Sequence, residues 1–105
     1  MILIETTSNS KEVLDRISKK LLNKKLTACI HMTEMNSNYL WESNLTEEKE
    51  YKISIKTVEK NKEKISKLIK INHNYDIYEL SVTKIQNLNS EYLEWFKKEL
   101  TENGI

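Results

Sequence analysis

A chain of 105 residues with no low-complexity break fits one domain, and on folding it buries somewhat under about 70% of its unfolded surface. Seventeen basic against 16 acidic residues leave a net charge of +1, too little for a field that gathers nucleic acid or an anionic membrane. Arg16 is the only arginine, so the planar fork that reads guanine edges and phosphates is almost missing.

One glycine, Gly104, and no proline exclude Walker and dinucleotide loops, which need glycine for close backbone approach to phosphate. Asparagine is left to make the turns. Cys29 is the only cysteine and has no partner for an internal disulfide. The opening MILIETTSNS holds too short an apolar run for a secretory signal, and no stretch nears the roughly 20 apolar residues that span a bilayer. The expectation is a reduced, cytoplasmic chain without nucleic-acid or membrane partners.

Residues 2–7 form a short run rich in β-branched side chains, and the SNSKE that follows places Asn9 as helix N-cap with Glu12 three residues on. Val13, Leu14, Ile17, Leu21 and Leu22 then recur at helical spacing and predict an amphipathic helix over 11–24. Over 26–35 the period changes to two: Leu26, Ala28, Ile30 and Met32 on one side, Thr27, Cys29, His31 and Thr33 on the other. Within 36–45 the polar triplets NSN and ESN are turn candidates around Tyr39 and Trp41, and alternation resumes over 49–58. A long hairpin results.

Ile65, Leu68 and Ile69 stripe a second helix over 60–71, its lysines read as a solvated face. Residues 77–85 are a fourth strand. Asn89 or Ser90 caps a last helix with Tyr92, Leu93, Phe96 and Leu100 on its apolar side and Trp95 at the margin. The order β-α-β-β-α-β-α predicts an α+β fold: a ferredoxin-like β-α-β-β-α-β sandwich with an extra C-terminal helix. Two helices cover one face of such a sheet. The other is expected to be apolar enough to need a partner, most simply further copies of the same chain.

Cys29 and His31 stand two apart on a strand and so share a face. Thiolate and imidazole suit copper or zinc, and Met35, of the same parity, would favour Cu(I). A lone cysteine in an apolar strand is more often a small buried hydrophobe. As a nucleophile it would need an exposed position and a neighbour such as protonated His31, so the expectation is that the chain is not an enzyme.

LTACI at 26–30, Tyr39 and Trp41 in the hairpin, IKT at 55–57, HNYDIYEL at 73–80 and EYLEW at 91–95 occur in that order. Through them the chain resembles the CutA divalent-cation tolerance family over nearly its whole length. The resemblance implies a ferredoxin-like subunit in a PII-like homotrimer, a role in metal-ion tolerance, and copper or another divalent cation as a ligand, with no obligatory cofactor. The family's His-Pro-Tyr-Glu-x-Pro-Glu pattern is met at His73, Tyr75 and Glu79, with Asp76 in place of a glutamate; Asn74 and Tyr78 stand where prolines are usual, which frees the backbone there. Ser43 and Asn44 replace a Gly-Lys pair, Leu40 an arginine and His31 an asparagine.

The resemblance makes His73 the natural metal ligand, with Tyr75, Asp76 and Glu79 around it. One imidazole with mobile carboxylates forms an open, weak site unless other ligands join. Tyr39, Trp41 and Trp95 are candidates for packing or ligand stacking at a subunit cleft, and Lys56 for pairing with Glu79 or a ligand carboxylate. The alternative is a PII-like signalling or scaffold trimer that binds a small anion or a protein at those clefts. An RNA-binding domain ranks last, lacking the aromatic RNP pattern.

Overall fold

The computed structural model describes residues 1–100, so Gly104 lies outside it. Four antiparallel strands, β1 (Ile2–Ser8), β2 (Cys29–Trp41), β3 (Asn44–Thr57) and β4 (Leu80–Lys84), lie in the order β2-β3-β1-β4. Helices α1 (Lys11–Asn23) and α2 (Lys62–Asn72) cover one face, and α3 (Ser90–Glu99) ends the described chain. This is the expected ferredoxin-like α+β topology with its additional helix.

The core follows from the two periods. Ile2 and Ile4 of β1 and Ile53 and Ile55 of β3 point toward α1 and α2, which return Leu14, Ile17, Leu21, Ile65 and Ile69; all are buried. Burying each such side chain contributes about 1.5–3 kcal/mol.

Several boundaries differ from the sequence expectation for local reasons. Ser10, not Asn9, caps α1, its hydroxyl accepting from the Val13 N–H at 3.2 Å, while Asn9 is turned toward the hairpin. Asn89 occupies the N-cap of α3 without a side-chain bond to it. Residues 26–28 are not strand: Lys25 has φ 56°, and Leu26 and Thr27 are both buried. The Leu26 carbonyl accepts from Thr57 Oγ1 at 2.6 Å and Asn61 Nδ2 at 3.2 Å, and Thr27 Oγ1 donates to the Lys56 carbonyl. A turn before α2, residues Glu59–Asn61, supplies that asparagine. Strand β4 begins at Leu80 rather than at 77, because the side chains of 73–75 are bonded to Thr7 and Ser8 at the end of β1 and to Asn9 just after it.

NSN is not a turn. Register is unbroken from Cys29↔Lys56 to Trp41↔Asn44, and the chain reverses only at Glu42 and Ser43, with φ 49° and 66°. That is the two-residue geometry whose twist matches paired strands, normally filled by Asn-Gly. Since β1 pairs only with residues 51–57 of β3, the rest of the hairpin projects as a two-stranded ribbon. Its directly opposed Leu40 and Leu45 are 72% and 82% exposed, and Trp41 is 51% exposed.

The uncovered sheet face corrects a second expectation. It carries Glu5, Thr33, Lys52 and Ser54 beside Cys29 and His31, with Ser54 Oγ donating to Glu5 at 2.6 Å and Lys52 3.9 Å from the same carboxylate. The isoleucines of β3 face inward, so this surface is largely polar, with Leu3, in register with Lys56, on the same side. The exposed apolar surface of the two long strands sits on the ribbon instead.

Left-handed backbone costs a non-glycine residue about 1–2 kcal/mol. The pair Glu42→Asn with Ser43→Gly is therefore expected to raise unfolding stability by about 1 kcal/mol, seen as a higher denaturation midpoint. An unchanged or lower midpoint would contradict this turn.

Candidate functional site

Two clusters occupy opposite ends of the polar face. At the first, Cys29 on β2 pairs in register with Lys56 on β3, and Cys29 Sγ lies 3.6 Å from His31 Nε2. Cys29 is half-buried and His31 exposed. The Lys56 ammonium sits 5.7 Å from the centre of the Tyr92 ring. Burial first, then a hydrogen bond with Cys29, raises the Tyr92 phenol to about 12. Tyr92 also packs with Trp95 and Phe96 of α3, at 5.5 and 6.3 Å between ring centres.

At the second end, the loop after α2 is tied to the end of β1 and to Asn9. His73 Nε2 is 2.9 Å from the Thr7 carbonyl, and its Nδ1 accepts from the Tyr75 N–H at 3.0 Å. This pairing sets the neutral Nε2–H tautomer, with both ring nitrogens engaged. Desolvation lowers the His73 pKa; the Thr7 bond and the Glu50 charge oppose it. Tyr78 stacks on the imidazole at 4.6 Å, and Asn74 joins Ser8 and Asn9. The two residues standing in for proline thus hold the segment through side-chain contacts rather than through a fixed φ.

Beyond His73, the Tyr75 hydroxyl donates to Glu50 at 2.7 Å and accepts from the Asn9 N–H at 2.8 Å. Tyr39 donates to Glu48 at 2.6 Å, and Asn9 Nδ2 donates to the other oxygen at 3.2 Å. The Glu48 bond raises Tyr39 to about 12, and the same bond holds Glu48 below the usual carboxylate range. Burial raises Tyr75 further, and its acceptor Glu50 is only 7% exposed.

Of the residues singled out from sequence, Cys29 and His31 meet, as do His73 and Tyr75. Met35 keeps the parity of Cys29 but stands six residues along the strand, roughly 20 Å away, too far to share one ion. The Cys29 and His73 clusters lie at different ends of the sheet. Lys56 faces Tyr92 rather than Glu79, and Asp76 and Glu79 are exposed. Tyr39 and Trp41 belong to the ribbon and Trp95 to α3. Sequence reasoning missed Asn9 as a clasp, Glu48 and Glu50 as acceptors, and Tyr92 as a neighbour of Cys29. The alternation that set Lys52 and Lys56 on one face already placed Glu48 and Glu50 with them.

Among the described residues no three His, Cys, Asp or Glu side chains cluster as a metal cage. The Cys29–His31 pair alone offers two soft donors at chelating distance. Tetrahedral bond lengths to sulfur and nitrogen place two such donors roughly 3.5 Å apart, and 3.6 Å is observed.

Fold and site together define a small ferredoxin-like α+β protein with an overlong hairpin. The sequence profile described as CutA1 divalent ion tolerance protein matches residues 2–99, and the chain belongs to that family. It is 30% identical to the divalent-cation tolerance protein CutA of Thermotoga maritima over 93% of this chain and 97% of that protein. The CutA1 crystal structure from Pyrococcus horikoshii superposes with a TM-score of 0.89 at 31% identity, covering 94% of this chain and 97% of the other. A CutA from Archaeoglobus fulgidus, described as periplasmic, gives 0.89 at 28% identity, covering 95% and 99%.

A folded-state pKa below the ordinary 6.5 means that the unfolded chain takes up a proton that folded His73 refuses. Its contribution is complete above that pH and is lost as pH falls through 6.5 toward the lower folded value. NMR titration is expected to place the His73 midpoint below 6.5, with His73→Gln flattening this part of the stability profile. A midpoint above 6.5 would contradict the assignment.

Proposed function

We propose that the chain serves divalent-cation tolerance as a homotrimer that binds copper, or a related ion, weakly through Cys29 and His31. The observation that carries this reading is the 3.6 Å separation of Sγ and Nε2 on an accessible sheet face. Thiolate with imidazole selects copper or zinc over hard cations. Two protein donors leave coordination positions open, which makes the site weak and exchangeable. A neighbouring copy can add donors, and Asp76 and Glu79, both exposed, are available for that.

His73 enters as a positioning residue that holds the loop carrying those carboxylates. The ribbon with Tyr39 and Trp41, and Trp95 on α3, are the surfaces proposed to form the subunit clefts. The alternative, a PII-like trimer binding a small anion, has less support at the Tyr39 end, where Glu48 and Glu50 present negative charge. The reading contains no catalytic step. Among the described residues no helix is long and apolar enough to cross a membrane, and the cytoplasm is the proposed compartment, where the Cys29 thiol needed for the metal would stay reduced.

Competition with a chromophoric chelator under reductant, using Cu(I) and then Zn(II), tests the site. One ion per chain is expected, with affinity reduced at least about tenfold in Cys29→Ser and in His31→Ala. Undiminished binding in both variants, or no binding at millimolar metal, would contradict it.

A further inference from the structure

On the opposite side of the molecule, α1 and α2 leave between them a groove of about 690 Å³. Its rim is cationic on both sides: Lys20 of α1 and its C-cap Lys24, and Lys64 and Lys67 of α2. Its floor is apolar, made by Leu26 and Leu68 and continued by Ile71, which is 81% exposed. Among the described residues no acidic side chain lines it. Lys20 bonds the neutral Asn72 at 2.9 Å, and the ion pairs among the described residues use other lysines. In a chain of net charge +1, a wall of four lysines without counter-charge is a local excess.

We propose that this groove docks an acidic amphipathic helix of a partner protein. A helix laid between two helices presents an apolar stripe to the floor and its flanks to both rims, the arrangement of helix-in-groove recognition. Asp or Glu on both flanks of the stripe would meet the two pairs of lysines and steer the encounter. A single carboxylate would engage only one rim. A flat anionic membrane would reach the lysines and Ile71 but not Leu26, which is only 5% exposed beneath them.

The test is fluorescence anisotropy on the full chain. The probe is a synthetic helix-forming peptide with leucines at i, i+3, i+4 and i+7 flanked by glutamates; its control carries lysines at the glutamate positions. Vesicles containing phosphatidylglycerol form a third arm. The acidic peptide is expected to bind at least about tenfold tighter than the control, more weakly as salt rises. The double variant Lys64→Glu with Lys67→Glu should lose at least about tenfold, and Ile71→Ser should weaken binding without changing its salt dependence. Both variants alter exposed residues, and their unfolding midpoints should match the parent. Equal binding of the two peptides, no loss in either variant, or binding to the vesicles but not the acidic peptide would overturn the proposal.

Discussion

The feature on which the rest depends is a mismatch of strand lengths. Strand β3 has 14 residues and β2 has 13, but β1 has seven and pairs only with residues 51–57. The two long strands therefore outrun their sheet by seven residues each, 44–50 and 35–41, roughly 23 Å, and give the molecule its 46 × 26 × 19 Å outline. A two-stranded ribbon is marginal alone in water. Here Tyr39–Glu48 links its two strands, Asn9–Glu48 and Tyr75–Glu50 tie its root back to the body, and its tip holds out Leu40, Trp41 and Leu45. That tip is the surface that the proposed homotrimer would cover with copies of the same chain in a closed ring.

The same geometry distributes the chemistry. The polar face is bounded at one end by α3, whose Tyr92 closes over Lys56 and Cys29. At the other end the His73 loop is clasped to the ribbon root, to the end of β1 and to Asn9. The first end offers a half-buried thiol and an exposed imidazole. At the second the donors are spent on one another: His73 uses both nitrogens and Glu48 both oxygens. This division is why the proposed metal pair is Cys29 and His31, with His73 supporting the loop.

Much of the fold was legible because its periods are clean. Helix α1 shows its apolar stripe in Leu14, Ile17 and Leu21, and β3 alternates Ile53 and Ile55 with Lys52, Ser54 and Lys56. What failed to read through was tertiary. Leu26 and Thr27 look like strand by alternation, yet Thr57 and Asn61, more than 30 residues away, capture the Leu26 carbonyl and bury both. Asn36 and Asn38 look like turn residues, but Ser37↔Glu48 and Asn38↔Glu47 pairing keeps them extended. The expectation of an apolar second face fails for a related reason: alternation fixes which residues share a side and not which side meets the helices, and Ile53 and Ile55 face the helices. Within the site, the Cys29–His31 approach was readable from spacing; the Asn9 clasp, formed across 39 and 66 residues, was not.

The central claim is that the ribbon tip is satisfied only by other copies of the chain. Sedimentation equilibrium at micromolar concentration tests it most directly. The account predicts a mass near three times the 12.5 kDa of one chain, falling toward one when Leu40 and Leu45 are both replaced by serine. A stable single chain for the parent protein, or a trimer indifferent to those two substitutions, would contradict it.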